Sequence, residues 1–189
     1  VQDSKTGVRP RMWKSELYRQ PRQPVVGVNW YEAREFAIWM GADLPTEAEW
    51  EKAARAPDNR LFPWGNTRPT PELCCYSGSR EQEGPVLVDA LPENVSPYGA
   101  QQMSGNTFEW CTDWYDASYY QGSPPRDPRG PENGMEKVVR GGSWFTHPLL
   151  TRVTARAHRA PDFLGTDCGF RCVIRCRPAA EMHQTEEED

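Results

Sequence analysis

The sequence predicts a single α+β domain in which regular secondary structure is scarce, and three observations carry that reading. Aromatic residues are frequent, with eight Trp among 189 residues, so the core is built from wide rings more than from an aliphatic period. Eighteen Pro and fifteen Gly interrupt the chain and keep its elements short. Only two stretches keep a helical period, and the other apolar runs are short enough for strands set between long loops.

Taken in order, residues 1–23 are polar and basic, with Trp13, Leu17 and Tyr18 as anchors, and read as an extension draped over the surface. Val25, Val26 and Val28 read as a short strand. Asn29 then caps a helix whose Glu32 stands at the capping-box position. Ala33, Phe36, Ala37 and Met40 form its apolar stripe, and Gly41 suits a left-handed stop. Thr46 and Glu49 make a second capping box behind Pro45, with Trp50, Ala53 and Ala54 facing inward. FPWGN, residues 62–66, is a turn held by rings. The following thirty residues have few anchors beyond Leu73, Tyr76 and Val88. In residues 103–113 the turn formers Ser104, Gly105 and Asn106 precede Phe108 and Trp110, with carboxylates at Glu109 and Asp113. A second long loop, 115–136, carries Tyr119, Tyr120 and several prolines. Strands are expected at 138–140, around 153–155 and at 170–174.

A net charge of −5 gives no electrostatic footprint for nucleic acid, so no nucleic-acid partner is expected. No stretch approaches the ~20 apolar residues of a membrane span, and no targeting segment is visible. Cytoplasmic and periplasmic locations both stay open. The six cysteines, Cys74, Cys75, Cys111, Cys168, Cys172 and Cys176, form no Cys-x-x-Cys pair, and neither His147 nor His158 stands at a zinc spacing from one. Either they are free thiols, some of them buried, or one bridge involves Cys74, Cys75 or Cys111. The acidic tail, residues 179–189, reads as a solvated terminus.

The blocks PVVGVNWYEAREFAIWMG, LPTEAEWEKAAR, FPWGN, MSGNTFEWCTDW, VVRGGSW, RVTARAHRAPD and GFRCV follow one another over residues 24–173. In that order they closely resemble the formylglycine-generating enzyme (sulfatase-modifying factor) family. The resemblance implies an irregular α+β fold related to C-type lectins over residues 24–178. It also implies that the N-terminal portion of the family domain, with its Met-Gly type opening motif, is cut off, absent or supplied by a separate chain.

Enzymes of that family oxidise a substrate cysteine with oxygen, using two thiolates that hold Cu(I) just after the Gly-Gly-Ser motif. Here Thr146 takes the place of the first thiol, and the second falls near residues 147–150, where the chain reads as shorter and has no cysteine. A hydroxyl is too hard a donor for Cu(I), so no copper is expected. What remains is a degenerate groove with Ser143 at the family's active-site serine and Phe108 where a tryptophan lines the pocket. The resemblance also implies one weakened calcium site from the Gly105 and Thr107 carbonyls, the Glu109 carboxylate and the Gln102 amide, where an acid or Asn is usual. A further calcium site is disfavoured by Cys74 and Arg80. Cys172 matches a disulfide-forming position whose partner is Ala37 here.

Trp110, Trp114 and Trp144 suit the core more than a ligand groove. Arg140, Arg152, Arg156 and Arg171 suit pairing with carboxylates such as Glu109, Asp113 and Asp162 more than anion binding. His147 and His158 have no nucleophile paired to them in sequence, and Ser143 lacks a G-x-S-x-G context. The leading expectation is a non-oxidase binding or assembly module with a protein partner. Trp144, Phe145, His147, Leu149, Arg152 and His158, with the two long loops, would form its contact surface. Two alternatives stand beside it. One is an enzyme of different chemistry on this scaffold, like the iron-dependent sulfoxide synthases, whose histidines lie in another domain. The other is a retroelement-diversified ligand-binding protein that varies residues between the Gly-Gly-Ser and Gly-Phe-Arg blocks.

Overall fold

Strand β1, Phe108–Trp114, is the member on which the other elements assemble. The structure, a computed structural model, describes residues 9–81 and 84–175; the acidic tail and Cys176 lie outside them. β2 (Lys137–Arg140) and β3 (Arg156–Arg159) continue the sheet on one side of β1, and the short β4 (Cys168–Gly169) lies on the other, in the order β3-β2-β1-β4. β1 runs antiparallel to β2, with Glu109 opposite Arg140 and Trp110 opposite Val139, and the register shifts before Trp114 meets Lys137. β4 is parallel to β1, and β3 is antiparallel to β2.

Alternation along β1 sends side chains to two separate cores. Phe108 and Trp110 join Val139 and Cys168 against Trp30, Ala33 and Ala37 of helix α1 (Trp30–Trp39). Cys111 joins Val138, Met103 and Val153 against Trp50 and Ala54 of helix α2 (Glu47–Arg55). Both faces are covered, and Glu109 and Asp113 are buried as well as the rings, so the polar residues interleaved along β1 do not mark a solvent face.

Both helices begin as expected. Asn29 Oδ1 accepts from Glu32 N at 2.9 Å while Glu32 Oε2 accepts from Asn29 N at 2.8 Å. Thr46 and Glu49 make the same reciprocal pair at 3.1 and 2.7 Å. Each cap stabilises its helix by about 1 kcal/mol. The indole N–H groups then tie helix and strand together: Trp30 Nε1 donates to the Cys111 carbonyl at 2.8 Å and Trp110 Nε1 to that of Val28 at 3.1 Å. Residues 62–65 close as a turn with the Phe62 and Trp64 rings stacked at 5.1 Å.

Several expectations need correction. Val25, Val26 and Val28 form no strand; Val26 and Val28 are buried in an irregular segment whose Gly27 N–H donates to Gly165 O. Met40 is not on the buried stripe but is the exposed C-cap of α1. The strand expected around 153–155 lies at Arg156–Arg159, because residues 151–154 make the turn that follows the loop. Residues 170–174 read as a strand, yet only Cys168–Gly169 pair with β1, and beyond them a single bridge joins Val173 to Asp43. The five described cysteines are all free thiols.

Two buried charges lie close together at the β1–β2 end. Lys137 Nζ sits 4.0 Å from the Trp30 ring and 3.7 Å from that of Trp114 and donates to Thr112 O at 2.7 Å. Burial pulls its pKa down to about 8. Asp113, 2% exposed, accepts from Glu47 N at 2.9 Å with Oδ2 and leaves Oδ1 without a partner. Burial pushes its carboxyl up to about 6. Its folded pKa exceeds the 3.8 of an unperturbed carboxyl, so between the two values the folded chain holds a proton that the unfolded chain has lost. Its contribution is therefore lost as pH rises from about 4 to about 6. Asp113→Asn is expected to flatten that part of the stability profile in urea unfolding between pH 4 and pH 7; an unchanged slope would place the titration elsewhere.

Candidate ligand groove

Two tight turns build the groove. Gly105 and Asn106 lie at φ +73° and +67°, and a Cβ at Gly105 would collide with the Cys75 carbonyl and the Cys74 sulfur, so only glycine fits there. Asn106 N donates to Cys75 O and Gly105 N to Gly141 O, both at 2.8 Å, while Trp144 N donates to Asn106 O at 2.9 Å. The turn before β1 and the Gly-Gly-Ser turn after β2 are thereby clasped together. Gly142, at φ +74°, packs against Thr151, which is fully buried and holds the return of the loop through Thr151 Oγ1 to Pro148 O at 2.8 Å.

At the floor, the polar groups satisfy one another. Ser143 is fully buried; its N–H donates to Thr146 Oγ1 at 3.0 Å, its Oγ shares a hydrogen bond with that hydroxyl at 2.9 Å, and it donates to Asp167 Oδ2 at 3.2 Å. No imidazole is part of this set, and the base within reach of the Ser143 hydroxyl is the Asp167 carboxylate. Phe108, 8% exposed, is roofed by the Arg159 guanidinium, 5.2 Å from its ring and 5.5 Å from that of Phe163. Nothing in the sequence singles out Arg159, which reaches Phe108 only through the path of β3.

At the rim, side chains turn outward. Phe145 is 64% exposed, and Leu149 and Leu150 are more than half exposed. Trp144 is half-buried, edge-on to Phe145 at 5.5 Å, and donates from Nε1 to Thr166 O at 3.3 Å. His147 caps the single turn Pro148–Leu150, its Nδ1 accepting from Leu149 N at 3.3 Å. Arg152 is exposed just beyond it. Phe108, Ser143, Trp144, Phe145, Thr146, His147, Leu149 and Arg152 thus share one region. His158 does not belong to it. Its cross-strand neighbour Val138 packs on the α2 side of the sheet, opposite Phe108. There His158 stacks on Tyr115 at 4.1 Å with Nδ1 2.6 Å from Glu136 Oε2, out of line for an N–H hydrogen bond.

The residues of the implied calcium site lie along one stretch, 102–109. Glu109 is their only anion, and its oxygens already accept from Arg171 at 2.5 and 2.6 Å and from Trp50 Nε1 at 2.7 Å. Gln102, at φ +57° and 7% exposed, buries an amide with neither its oxygen nor its nitrogen bonded. With Glu109 neutralised by a guanidinium, the set offers neutral oxygens and no free anion. Among the described residues no group of three or more His, Cys, Asp or Glu could hold a metal ion. Burial pushes the Cys74 thiol up to about 12 and raises those of Cys75, Cys111 and Cys168, so none of the four is a ready thiolate.

A loop-rich α+β domain, with a Gly-Gly-Ser turn clasped to the turn before its central strand, is the class of protein that the fold and site define. The chain belongs to the family of the sulfatase-modifying factor enzyme 1-like domain, whose sequence model matches residues 2–176 and so takes in most of the segment read as an extension. The formylglycine-generating enzyme of Thermomonospora curvata is 38% identical over 177 residues, 84% of this chain and 58% of that protein. The hercynine oxygenase of Mycolicibacterium smegmatis is 37% identical over 144 residues, 71% of this chain and 33% of the relative. The solved structure of PvdO from Pseudomonas aeruginosa superposes with a TM-score of 0.71 at 25% identity, covering 80% of this chain and 61% of that one. The chain thus spans a little over half the length of the formylglycine-generating enzyme it matches. No helix among the described residues is long and apolar enough to cross a membrane.

Native alkylation with iodoacetamide, read by peptide mass mapping, is expected to modify Cys172 at least roughly tenfold faster than Cys74, Cys75, Cys111 or Cys168. Comparable labelling of Cys74 in the native protein would contradict the closed floor.

Proposed function

We propose that this chain acts as a binding or assembly module on the formylglycine-generating scaffold and does not carry out its copper-dependent oxidation. One observation carries the reading. By the alignment that the family resemblance implies, Thr146 takes the place of the first copper thiol; its hydroxyl bonds Ser143, and on the same loop Phe145, Leu149 and Leu150 face solvent. Hydroxyl oxygen is a poor partner for Cu(I), whereas an exposed apolar loop on a rigid base is what a protein contact uses. In the hercynine oxygenase the matched region is a third of a longer protein, in keeping with a domain that works as one part of a larger assembly.

That relative also motivates a second reading, an enzyme whose iron site lies in another domain. One preparation of the full chain separates the possibilities. Under the module reading it retains no stoichiometric copper or iron, forms no aldehyde on a Cys-x-Pro-x-Arg peptide, and Phe145→Glu with Leu149→Glu weakens capture of its partner by at least about tenfold. Stoichiometric copper together with aldehyde would overturn the proposal, and stoichiometric iron would favour the second reading.

We further infer that calcium, if taken up at Gln102, Gly105, Thr107 and Glu109, binds only at about 10⁻³ M, as sites with few anionic ligands do. Calorimetric titration is expected to show that range; micromolar affinity would mean that Arg171 releases Glu109.

A further inference from the structure

Among the described residues no strand pairs with the sheet edge beyond β4, and that edge is not built like a guarded one. Phe108 N donates to Asp167 O, Gly169 pairs with Glu109, and Val173 exchanges bonds with Asp43 at 2.8 and 3.0 Å. Odd-numbered residues therefore turn their backbone groups inward, and by alternation Phe170, Cys172 and Ile174 turn theirs outward. These three make no backbone–backbone hydrogen bond among the described residues. Edges are ordinarily protected by an exposed Lys, a Pro or outward charge. Here residues 170–174 contain neither Lys nor Pro, and the flanking charges point away. Arg171 forks onto Glu109, and Arg175 is held by Glu49 at 2.7 Å and Asp43 at 3.0 Å.

An apolar surface continues from that edge. Phe170 meets Phe36 at 5.6 Å and Phe36 meets Trp39 at 5.8 Å, so the strip joins the last turn of α1. There Ile38, Trp39 and Met40 are exposed, Trp39 by 75%, and Ile174 is exposed by 78%. No cleft for a small molecule is needed to account for such a patch; it has the form of an interface.

We propose that this edge pairs with the same edge of a second copy of the chain, antiparallel and about a two-fold axis at Cys172. Phe170 then faces Ile174 of the second copy, Cys172 faces Cys172, and the facing residues exchange their free N–H and C=O groups. A second copy fits because an edge strand is complementary to itself under a two-fold and because Glu109, Glu49 and Asp43 cancel the arginine charges that would otherwise repel across the axis. Exposed side-chain and backbone area of the strip is on the order of 600–800 Å² a side, close to the ~800 Å² of a specific interface. The pairing uses the sheet edge and the end of α1, and does not rest on the function proposed for the loop at Phe145.

Sedimentation equilibrium of the full chain, from about 1 to 100 μM, tests this in the range where an interface of that size associates. The native chain is expected to sediment as a dimer. Ile174→Lys, at a side chain already in solvent, is expected to keep the native circular dichroism and to raise the dimer dissociation constant at least roughly tenfold. A short bismaleimide is expected to link two copies through Cys172, located by mass spectrometry, while Cys172→Ser abolishes the link and still sediments as a dimer. A chain that stays monomeric at about 100 μM overturns the proposal, as does a dimer that is unaffected by Ile174→Lys or linked elsewhere.

Discussion

The guanidinium of Arg140 lies fully buried between the sheet and α2, and much of the irregular chain is held by what it bonds. Nη1 donates to Glu47 Oε1 at 3.2 Å and to Ala155 O at 2.9 Å; Nη2 donates to Glu51 Oε2 at 2.6 Å and to Val153 O at 2.7 Å. Arg156 adds a fork onto Glu47 at 2.7 and 2.9 Å and lies across the Tyr115 and Tyr120 rings. A buried charge left without its partner costs about 3–5 kcal/mol, so α2 is held in one position against β2 and the turn at 153–155. A second fork, Arg171 on Glu109, joins the chain after β4 to β1 and, through Trp50, to the same helix.

Those forks explain how a chain with so few regular elements presents defined loops. Little backbone in residues 57–107 belongs to a helix or strand, yet its carbonyls and turns meet fixed partners: Cys75 O takes Asn106 N, and the Asn94 amide donates to Ser104 O at 2.7 Å. The ladder that ordinarily satisfies backbone groups is replaced here by side chains and clasped turns. The groove inherits that rigidity, because both of its turns are attached to β1 and β2.

The segment after Gly-Gly-Ser is built on turns that the scaffold fixes. In this chain the segment is filled by groups that satisfy one another, Ser143 with Thr146 and Asp167, while its outer side chains are apolar.

Sequence alone determined the features that are local. Asn29 with Glu32 and Thr46 with Glu49 act within four residues of one another, and the order of the seven blocks carries the family. For the cysteines the sequence left free thiols and one bridge both open, and the five described ones are free. Tertiary structure decided what depends on distant partners. Glu47 looks like an ordinary first-turn acid, yet it is buried because Arg140 and Arg156, roughly a hundred residues on, converge on it. β1 is hard to read in the sequence because both of its faces are covered, and residues 170–174 keep the pattern of a strand although among the described residues only Val173 pairs, with Asp43, since pairing is a property of two strands and not of one.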